Sequence, residues 1–146
     1  MNRNAIIEQL KIDEGFSPVA YSDMGRQYTY GYGCCAPAVG AIISRQAAED
    51  LLGKRVDQAI QEYHEIFDDQ AIDDTRQGAL VNMVFNLGKG GVLKFRHMIT
   101  AIKADDWQGA ADEAQDSDWY DQLRDSGDPP GRSNRIVKEL RNGGQP

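Results

Sequence analysis

The sequence of 146 residues contains no apolar run long enough to cross a bilayer, and it has few residues that build disulfide or metal sites. Its only cysteines, Cys34 and Cys35, are adjacent. Neighbouring cysteines rarely bridge, because a disulfide requires a particular approach of the two Cβ atoms, so we expect two reduced thiols. The only histidines, His64 and His97, lack partners at metal-ligand spacing. The sequence therefore predicts no metal site.

Basic residues are also scarce, with 16 Lys and Arg against 23 Asp and Glu, which gives a net charge of −7. This balance argues against a nucleic-acid partner, because phosphate contacts need clustered Lys and Arg. It argues equally against a surface drawn to anionic membranes. The first eight residues lack the basic-then-apolar order of a secretory signal. We therefore expect a protein with no stable membrane insertion and no visible export signal of its own.

Hydrophobic periodicity predicts an α+β chain in which helices flank a small antiparallel sheet. Ile6, Ile7 and Leu10 lie at helical spacing before Gly15, and alternation in residues 28–32 is typical of a strand. A long amphipathic helix is expected to begin after Ser44. We predict a small sheet lobe at about residues 15–43 and a helical lobe at about 1–14 and 44–146, joined by this long helix in a single domain.

The segment 79–87 is apolar nearly all round, as in a helix at the centre of a bundle. Asp74 or Thr75 could cap this helix, and the glycines at 88, 90 and 91 are expected to end it. Three shorter helices are predicted at residues 95–104, 107–115 and 132–141.

Three residues between positions 13 and 33 have the chemistry of glycoside hydrolysis. Glu14 stands at the expected end of the first helix, where the negative end of the helix dipole favours a protonated carboxyl able to donate to a leaving oxygen. Asp23 lies in a polar turn, where water can keep it ionised, and Thr29 offers a hydroxyl that can hold a water molecule. Taken singly, each of the three is an ordinary surface, turn or strand residue.

Two further patterns have competing interpretations. Trp119 fits core packing better than a cleft wall, although aromatic rings also suit sugar faces. The last predicted helix carries four cations, and we favour a solvated helix face over a basic strip that contacts an anionic polymer. The four are Arg132, Arg135, Lys138 and Arg141.

The segments Asp13-Glu14-Gly15, Tyr21-Ser22-Asp23 and Tyr28-Thr29-Tyr30-Gly31-Tyr32-Gly33 resemble the catalytic stretch of the T-even phage lysozyme family, glycoside hydrolase family 24. The resemblance continues in order along nearly the whole chain. Asn82 to Gly88 is similar to the family's buried central helix, and Arg132 to Arg141 is similar to its last helix.

This resemblance implies a lysozyme-like two-lobed fold and a muramidase that cuts the β-1,4 bond between N-acetylmuramic acid and N-acetylglucosamine in peptidoglycan. By carry-over Glu14 would be the general acid, Asp23 would activate water and Thr29 would position it. Tyr32, Asn86 and Trp119 would contact the substrate. The resemblance implies no metal or organic cofactor, and we expect a monomer.

We expect an endolysin of a phage or prophage, made in the bacterial host cytoplasm and acting on the wall after membrane permeabilisation. A tail-associated lysozyme domain, an antibacterial toxin domain and a catalytically weakened wall-binding or scaffolding module are the alternatives. The sequence also departs from the family. Cys34 stands where the family has a histidine that pairs with an acid, Asn86 replaces a longer amide, residues 35–43 are shortened and residues 121–130 are lengthened.

Overall fold

The computed structural model describes residues 1–22, 27–67, 70–125 and 131–145. In these segments the chain forms seven helices and one small sheet, which confirms the predicted α+β class. The elements are α1 (Arg3–Glu14), β1 (Ser17–Ser22), β2 (Tyr28–Gly31), β3 (Cys34–Cys35), α2 (Arg45–Ile66), α3 (Asp74–Leu93), α4 (Arg96–Lys103), α5 (Trp107–Gln115), α6 (Asp118–Leu123) and α7 (Arg132–Asn142).

Helices α1 and α2 begin at the caps that their sequences supply. The Asn2 side chain accepts a hydrogen bond from the Ala5 amide at 3.1 Å, and the Ser44 hydroxyl accepts one from the Ala47 amide at 3.1 Å. Gly15, with φ of 66°, ends α1 directly after Glu14. The predicted start of α2 after Ser44, and the placement of Glu14 at a helix end, are therefore confirmed.

The sheet is antiparallel, with the strand order β1-β2-β3. Thr29 lies in the central strand, opposite Tyr21 on one side and Cys35 on the other. A tight connection at residues 31–33, which we call the glycine turn, joins β2 to β3. The predicted polar turn at residues 23–26 lies outside the described residues. Neither cysteine forms a disulfide: Cys34 is buried and Cys35 is exposed.

Helix α3 lies in the core as predicted, with Leu80, Met83 and Val84 almost fully buried. Two details of its prediction were wrong. Its N-cap is Asp73, one residue before the expected positions. Gly88 bends the helix without ending it: its φ of 70° and ψ of 164° interrupt the helix, which resumes and continues to Leu93.

At the kink after Gly88, a side chain of α2 accepts a hydrogen bond from the backbone amide of the next residue, Lys89. The Lys89 amide donates to Glu62 Oε2 at 2.9 Å, and the Lys89 ammonium lies 2.5 Å from Glu65 Oε2. The second half of α3 therefore starts with a carboxylate acceptor from α2, which explains how the helix resumes after a glycine. Among the described residues, none of the helices is both long and apolar enough to cross a membrane.

Candidate active site

The Glu14 carboxylate is held from two sides at the end of α1. Arg132, from α7, donates from Nη1 to Glu14 Oε1 at 2.9 Å. On the other side lies the glycine turn, where a Cβ atom on Gly33 would come within 2.5 Å of Glu14 Oε2. The Glu14 side chain remains 19% exposed, whereas that of Arg132 is only 5% exposed. The carboxylate is thus fixed in place yet accessible to a ligand.

Asp13, the residue before it, has the opposite environment. Its side chain is 3% exposed, and Oδ2 accepts hydrogen bonds at 2.7 Å from both Asn82 Nδ2 and Arg135 Nη2. Gln9 donates to Oδ1 at 3.1 Å. A buried carboxylate with this many donors has a structural role: Asp13 ties the end of α1 to α3 and α7.

The two acids belong to one network, because Arg132 also donates from Nε to Asn82 Oδ1 at 2.9 Å. We call the set Asp13, Glu14, Asn82, Arg132 and Arg135 the carboxylate–guanidinium network. It joins the end of α1 to the middle of α3 and the first turn of α7. Three helices therefore determine the position of the Glu14 carboxylate.

This network corrects the interpretation of the last helix as a solvated cationic face. Arg132 is buried, Arg135 binds Asp13, and Arg141 binds Asp112 at 2.6 Å. The rival interpretation, a basic strip that contacts an anionic polymer, fails for the same reason. A helical repeat of cations cannot show which of them meet carboxylates from distant segments.

The electrostatic surroundings of Glu14 are also richer than the sequence predicted. The end of α1 places partial negative charge near the carboxylate, whereas Arg132 places a full positive charge against it.

A second carboxylate of α7, Glu139, lies one turn after Arg135 and accepts a hydrogen bond from it at 3.1 Å. Burial raises the pKa of Glu139; the attraction of Arg135 opposes this, and repulsion from Asp13 adds to it.

Of the other two expected catalytic residues, the structure describes only Thr29. Thr29 is half-buried in the central strand. Asp23 lies outside the described residues, so its proposed role keeps the status of a prediction. Among the described side chains, no group of three or more His, Cys, Asp or Glu is arranged to hold a metal ion.

Of the three expected substrate contacts, only Asn86 has an exposed side chain. Tyr32 is 4% exposed; its hydroxyl accepts a hydrogen bond from Arg45 at 3.0 Å and its ring packs on Phe16. The ring of Tyr32 is buried in the packing between the sheet and α2, and its contact with substrate stays a prediction.

Trp119 is buried as well, which favours core packing over the cleft wall. It is 6% exposed, meets Phe95 edge to face, and donates from Nε1 to Asn86 Oδ1 at 3.0 Å. The direct substrate contact expected of Trp119 stays a prediction, and its enclosed indole orients the Asn86 amide through this hydrogen bond.

A small antiparallel sheet packed with helices, and an accessible carboxyl fixed at the end of the first helix, are features of the lysozyme-like glycoside hydrolases. The comparison with known families agrees with this class. The chain belongs to the phage lysozyme family, whose model matches residues 11–136. Membership makes this chain a lysozyme-type glycoside hydrolase.

Similar proteins come from a phage and from a eukaryote. The chain is 28% identical over 160 residues to the pre-baseplate central spike protein Gp5 of Enterobacteria phage T4. The aligned region covers 91% of this chain and 27% of the spike protein. It is 26% identical over 171 residues to the probable T4-type lysozyme 1 of Dictyostelium discoideum, with 96% and 95% coverage. The probable T4-type lysozyme 2 of the same organism is 36% identical over 72 residues, with 49% and 39% coverage.

Proposed function

We propose that the protein is a muramidase that hydrolyses the β-1,4 bond between N-acetylmuramic acid and N-acetylglucosamine in bacterial peptidoglycan. Family membership supports the reaction class. The observation that carries the proposal is the Glu14 carboxyl, which is oriented by Arg132 and Gly33 and remains partly accessible.

In this mechanism Glu14 donates its proton to the glycosidic oxygen as the bond to the anomeric carbon breaks. Asp23 takes a proton from the attacking water, and the Thr29 hydroxyl helps to position that water. Arg132 holds Oε1 of Glu14 and the glycine turn lies against Oε2, so the carboxyl keeps one position while its accessible surface meets the substrate. Such fixed placement supplies part of the catalysis, since a misplaced acid cannot reach the leaving oxygen.

The test compares Glu14→Gln with Glu8→Gln, a matched change at an exposed position of the same helix. Clearing of outer-membrane-permeabilised cells and the release of reducing ends from purified peptidoglycan are measured. We expect Glu14→Gln to lose roughly 100-fold or more of the rate, the usual contribution of a general acid. Glu8→Gln should clear like the unmodified protein.

Each Glu14 variant is measured at a temperature where circular dichroism shows it folded, because the substitution leaves the buried Arg132 with less charge compensation. Equal clearing by Glu14→Gln and the unmodified protein would show that Glu14 is not the acid. Binding to the wall without release of reducing ends by the unmodified protein would favour the wall-binding module instead.

We further propose that the protein acts as a monomeric endolysin, present in the host cytoplasm until the membrane is permeabilised. The similarity to a phage spike protein supports a second candidate, a wall-cutting domain of a tail apparatus. Mass spectrometry of purified phage particles separates the two, because a tail domain copurifies with particles and an endolysin stays in the lysate. Sedimentation of the purified protein tests the monomer.

A further inference from the structure

We propose that Arg55, on α2, is a positioning residue that fixes the Glu14 carboxyl through the glycine turn. The inference rests on the proposed function of Glu14 and adds a residue that does not itself touch the substrate. Its evidence is a chain of contacts from the guanidinium to the turn and from the turn to the carboxylate.

The first step is the contact of Arg55 with the turn backbone. Its Nη1 donates to the carbonyl oxygen of Gly33 at 3.0 Å and lies 3.4 Å from that of Tyr32. The same nitrogen is 3.6 Å from Cys34 Sγ. A charged donor that meets successive acceptors on one short turn restrains the turn more strongly than a neutral donor would.

In the second step, the Arg55 side chain is itself held in place by its packing. The Arg55 guanidinium stacks over the Phe85 ring of α3, 4.2 Å from its centroid. Its side chain is half-buried between α2 and α3. The donor is therefore held by the packed helices, so it transmits their position to the sheet.

The third step is the lack of space around the turn. Gly31 and Gly33 both have positive φ, at 60° and 68°. A Cβ at Gly31 would lie 3.0 Å from the Ala48 Cβ, and one at Gly33 would lie 2.5 Å from Glu14 Oε2. The turn is thus wedged between α2 and the carboxylate, and any movement of Gly33 moves a wall of the site of Glu14.

Without Arg55 the two carbonyl groups lose this donor and the turn can shift away from α2. The Glu14 carboxyl would keep its bond to Arg132 and lose its fixed neighbour on the other side. A displacement of about 1 Å in such a group can cost on the order of 100-fold in rate. We expect a smaller loss here, because Arg132 still holds one oxygen.

The experiment compares Arg55→Met and Arg55→Lys with Arg3→Met. Arg3 is a suitable control because it too donates to a backbone carbonyl, that of Gly53 within α2 at 3.3 Å, and binds Asp57, but its hydrogen bonds do not reach the glycine turn. Rates are measured on soluble, un-cross-linked peptidoglycan strands, at a temperature where every variant is folded.

We expect Arg55→Met to lower kcat about tenfold with KM changed less than twofold, since the residue acts on the acid and not on substrate binding. Arg55→Lys should recover most of kcat, because an ammonium can still donate to the carbonyls. Arg3→Met should keep the unmodified kcat. If Arg55→Met does not fold, the shorter Arg55→Gln replaces it, with the same expected loss.

A second readout needs no activity and so separates this proposal from the proposed function. In ¹³C spectra, the side-chain carboxyl resonance of Glu14 and the carbonyl resonance of Gly33 should both move in Arg55→Met and stay in place in Arg3→Met. An unchanged Glu14 resonance would overturn the proposal even if the protein proved inactive on peptidoglycan. An increase in KM at constant kcat would overturn it too, since it would assign Arg55 to substrate binding.

Cys34→Ala distinguishes the two kinds of acceptor that Arg55 contacts. The proposal places the effect on the carbonyl groups, so removal of the thiol should change kcat less than twofold. A loss as large as that of Arg55→Met would show that the arginine acts through the sulfur, and the proposal would be wrong.

Discussion

Two adjacent acids at the end of α1 divide the structural and chemical roles between them. Asp13 is buried and accepts bonds from three side chains, so its oxygens are engaged within the protein. Glu14 accepts one bond from Arg132 and keeps part of its surface accessible. The difference follows from side-chain length and direction at neighbouring helix positions, which point toward different partners.

Burial of Glu139 gives the stability of the protein a dependence on pH. Because its pKa is raised in the folded state, the ionised form is disfavoured by folding, and stability declines as pH rises from the ordinary value of 4.5 through the folded value. Glu139→Gln removes this decline. We expect the variant to have a higher urea midpoint than the unmodified protein at pH 7, with the difference vanishing below pH 4.5.

The exposed acid Glu113 on α5 provides the control, since Glu113→Gln should leave the midpoint nearly unchanged at both pH values. A lower midpoint of Glu139→Gln at pH 7 would contradict the prediction. It would mean that the bond from Arg135 to Glu139 outweighs the cost of burying the charge.

At this scale the sequence predicted the position of Glu14 at a helix end and missed the partners of its side chain. Glu14 was recognisable because a local feature, the glycine that follows it, marks the end of the helix. Arg132 follows it by 118 residues, and Asn82 joins them from a third helix. Local periodicity contains no information about such pairings, so the guanidinium groups of Arg132 and Arg135 were interpreted as solvated.

Among the secondary-structure elements, the sequence predicted α1 and α2 well, because each combines a local cap with apolar residues at helical spacing. Asn2 and Ser44 begin α1 and α2 through side-chain bonds within three residues. Helix α6 was not predicted, because it spans only Asp118–Leu123 and is too short to show a period. Its one local signal is Ser117, whose hydroxyl accepts from the Tyr120 amide at 3.2 Å.

Two glycines of α3 predict opposite effects of the same substitution. At Gly78 the added Cβ of alanine would meet only Ile6, at an ordinary contact distance of 3.8 Å. Gly78→Ala should therefore raise the free energy of unfolding by about 0.5–1 kcal/mol, the cost of glycine in a helix interior. Urea denaturation monitored by circular dichroism measures this change.

At Gly88 the backbone conformation, φ of 70° with ψ of 164°, is essentially restricted to glycine. Gly88→Ala should lower the free energy of unfolding by about 1–3 kcal/mol, although a Cβ there would meet no atom within 4 Å. A neutral or stabilising Gly88→Ala would show that the kink is not required and that α3 can run straight.

At the scale of the whole molecule, the charge is distributed unevenly between the sheet and the helices. Residues 15–43 contain only Asp23 and Arg26 as charged residues, so the net charge of −7 belongs to the rest of the chain. The sheet region also exposes apolar side chains, with Val19 46% and Ile42 79% accessible. An anionic polymer therefore meets less repulsion at the sheet than at the helices.

This distribution predicts how salt affects lysis. Since the molecule as a whole repels an anionic wall, added salt should screen the repulsion, and lytic activity should hold or rise between low and physiological ionic strength. Turbidity assays across a salt series measure this effect. A steep fall in activity over the same range would contradict the prediction.

A charge variant sharpens the test. Glu113 and Asp116 are exposed in and just after α5, and Glu113→Lys with Asp116→Lys changes the net charge from −7 to −3. We expect this double variant to gain activity at low salt and to match the unmodified protein at physiological salt, where exposed charges more than about 8 Å apart are largely screened. Equal gains at all salt concentrations would point to a local contact rather than to the overall charge.

The separation of Glu14 from Arg132 along the chain has a consequence for biosynthesis. A ribosome that has made the acid must add 118 more residues before it makes the guanidinium that orients it. Until then the Glu14 carboxyl lacks that contact, and Asp13 lacks Arg135 for a further three residues. A nascent or prematurely terminated chain that stops between these points therefore carries the Glu14 carboxyl without its guanidinium partner, and the carboxylate–guanidinium network is complete only when α7 docks.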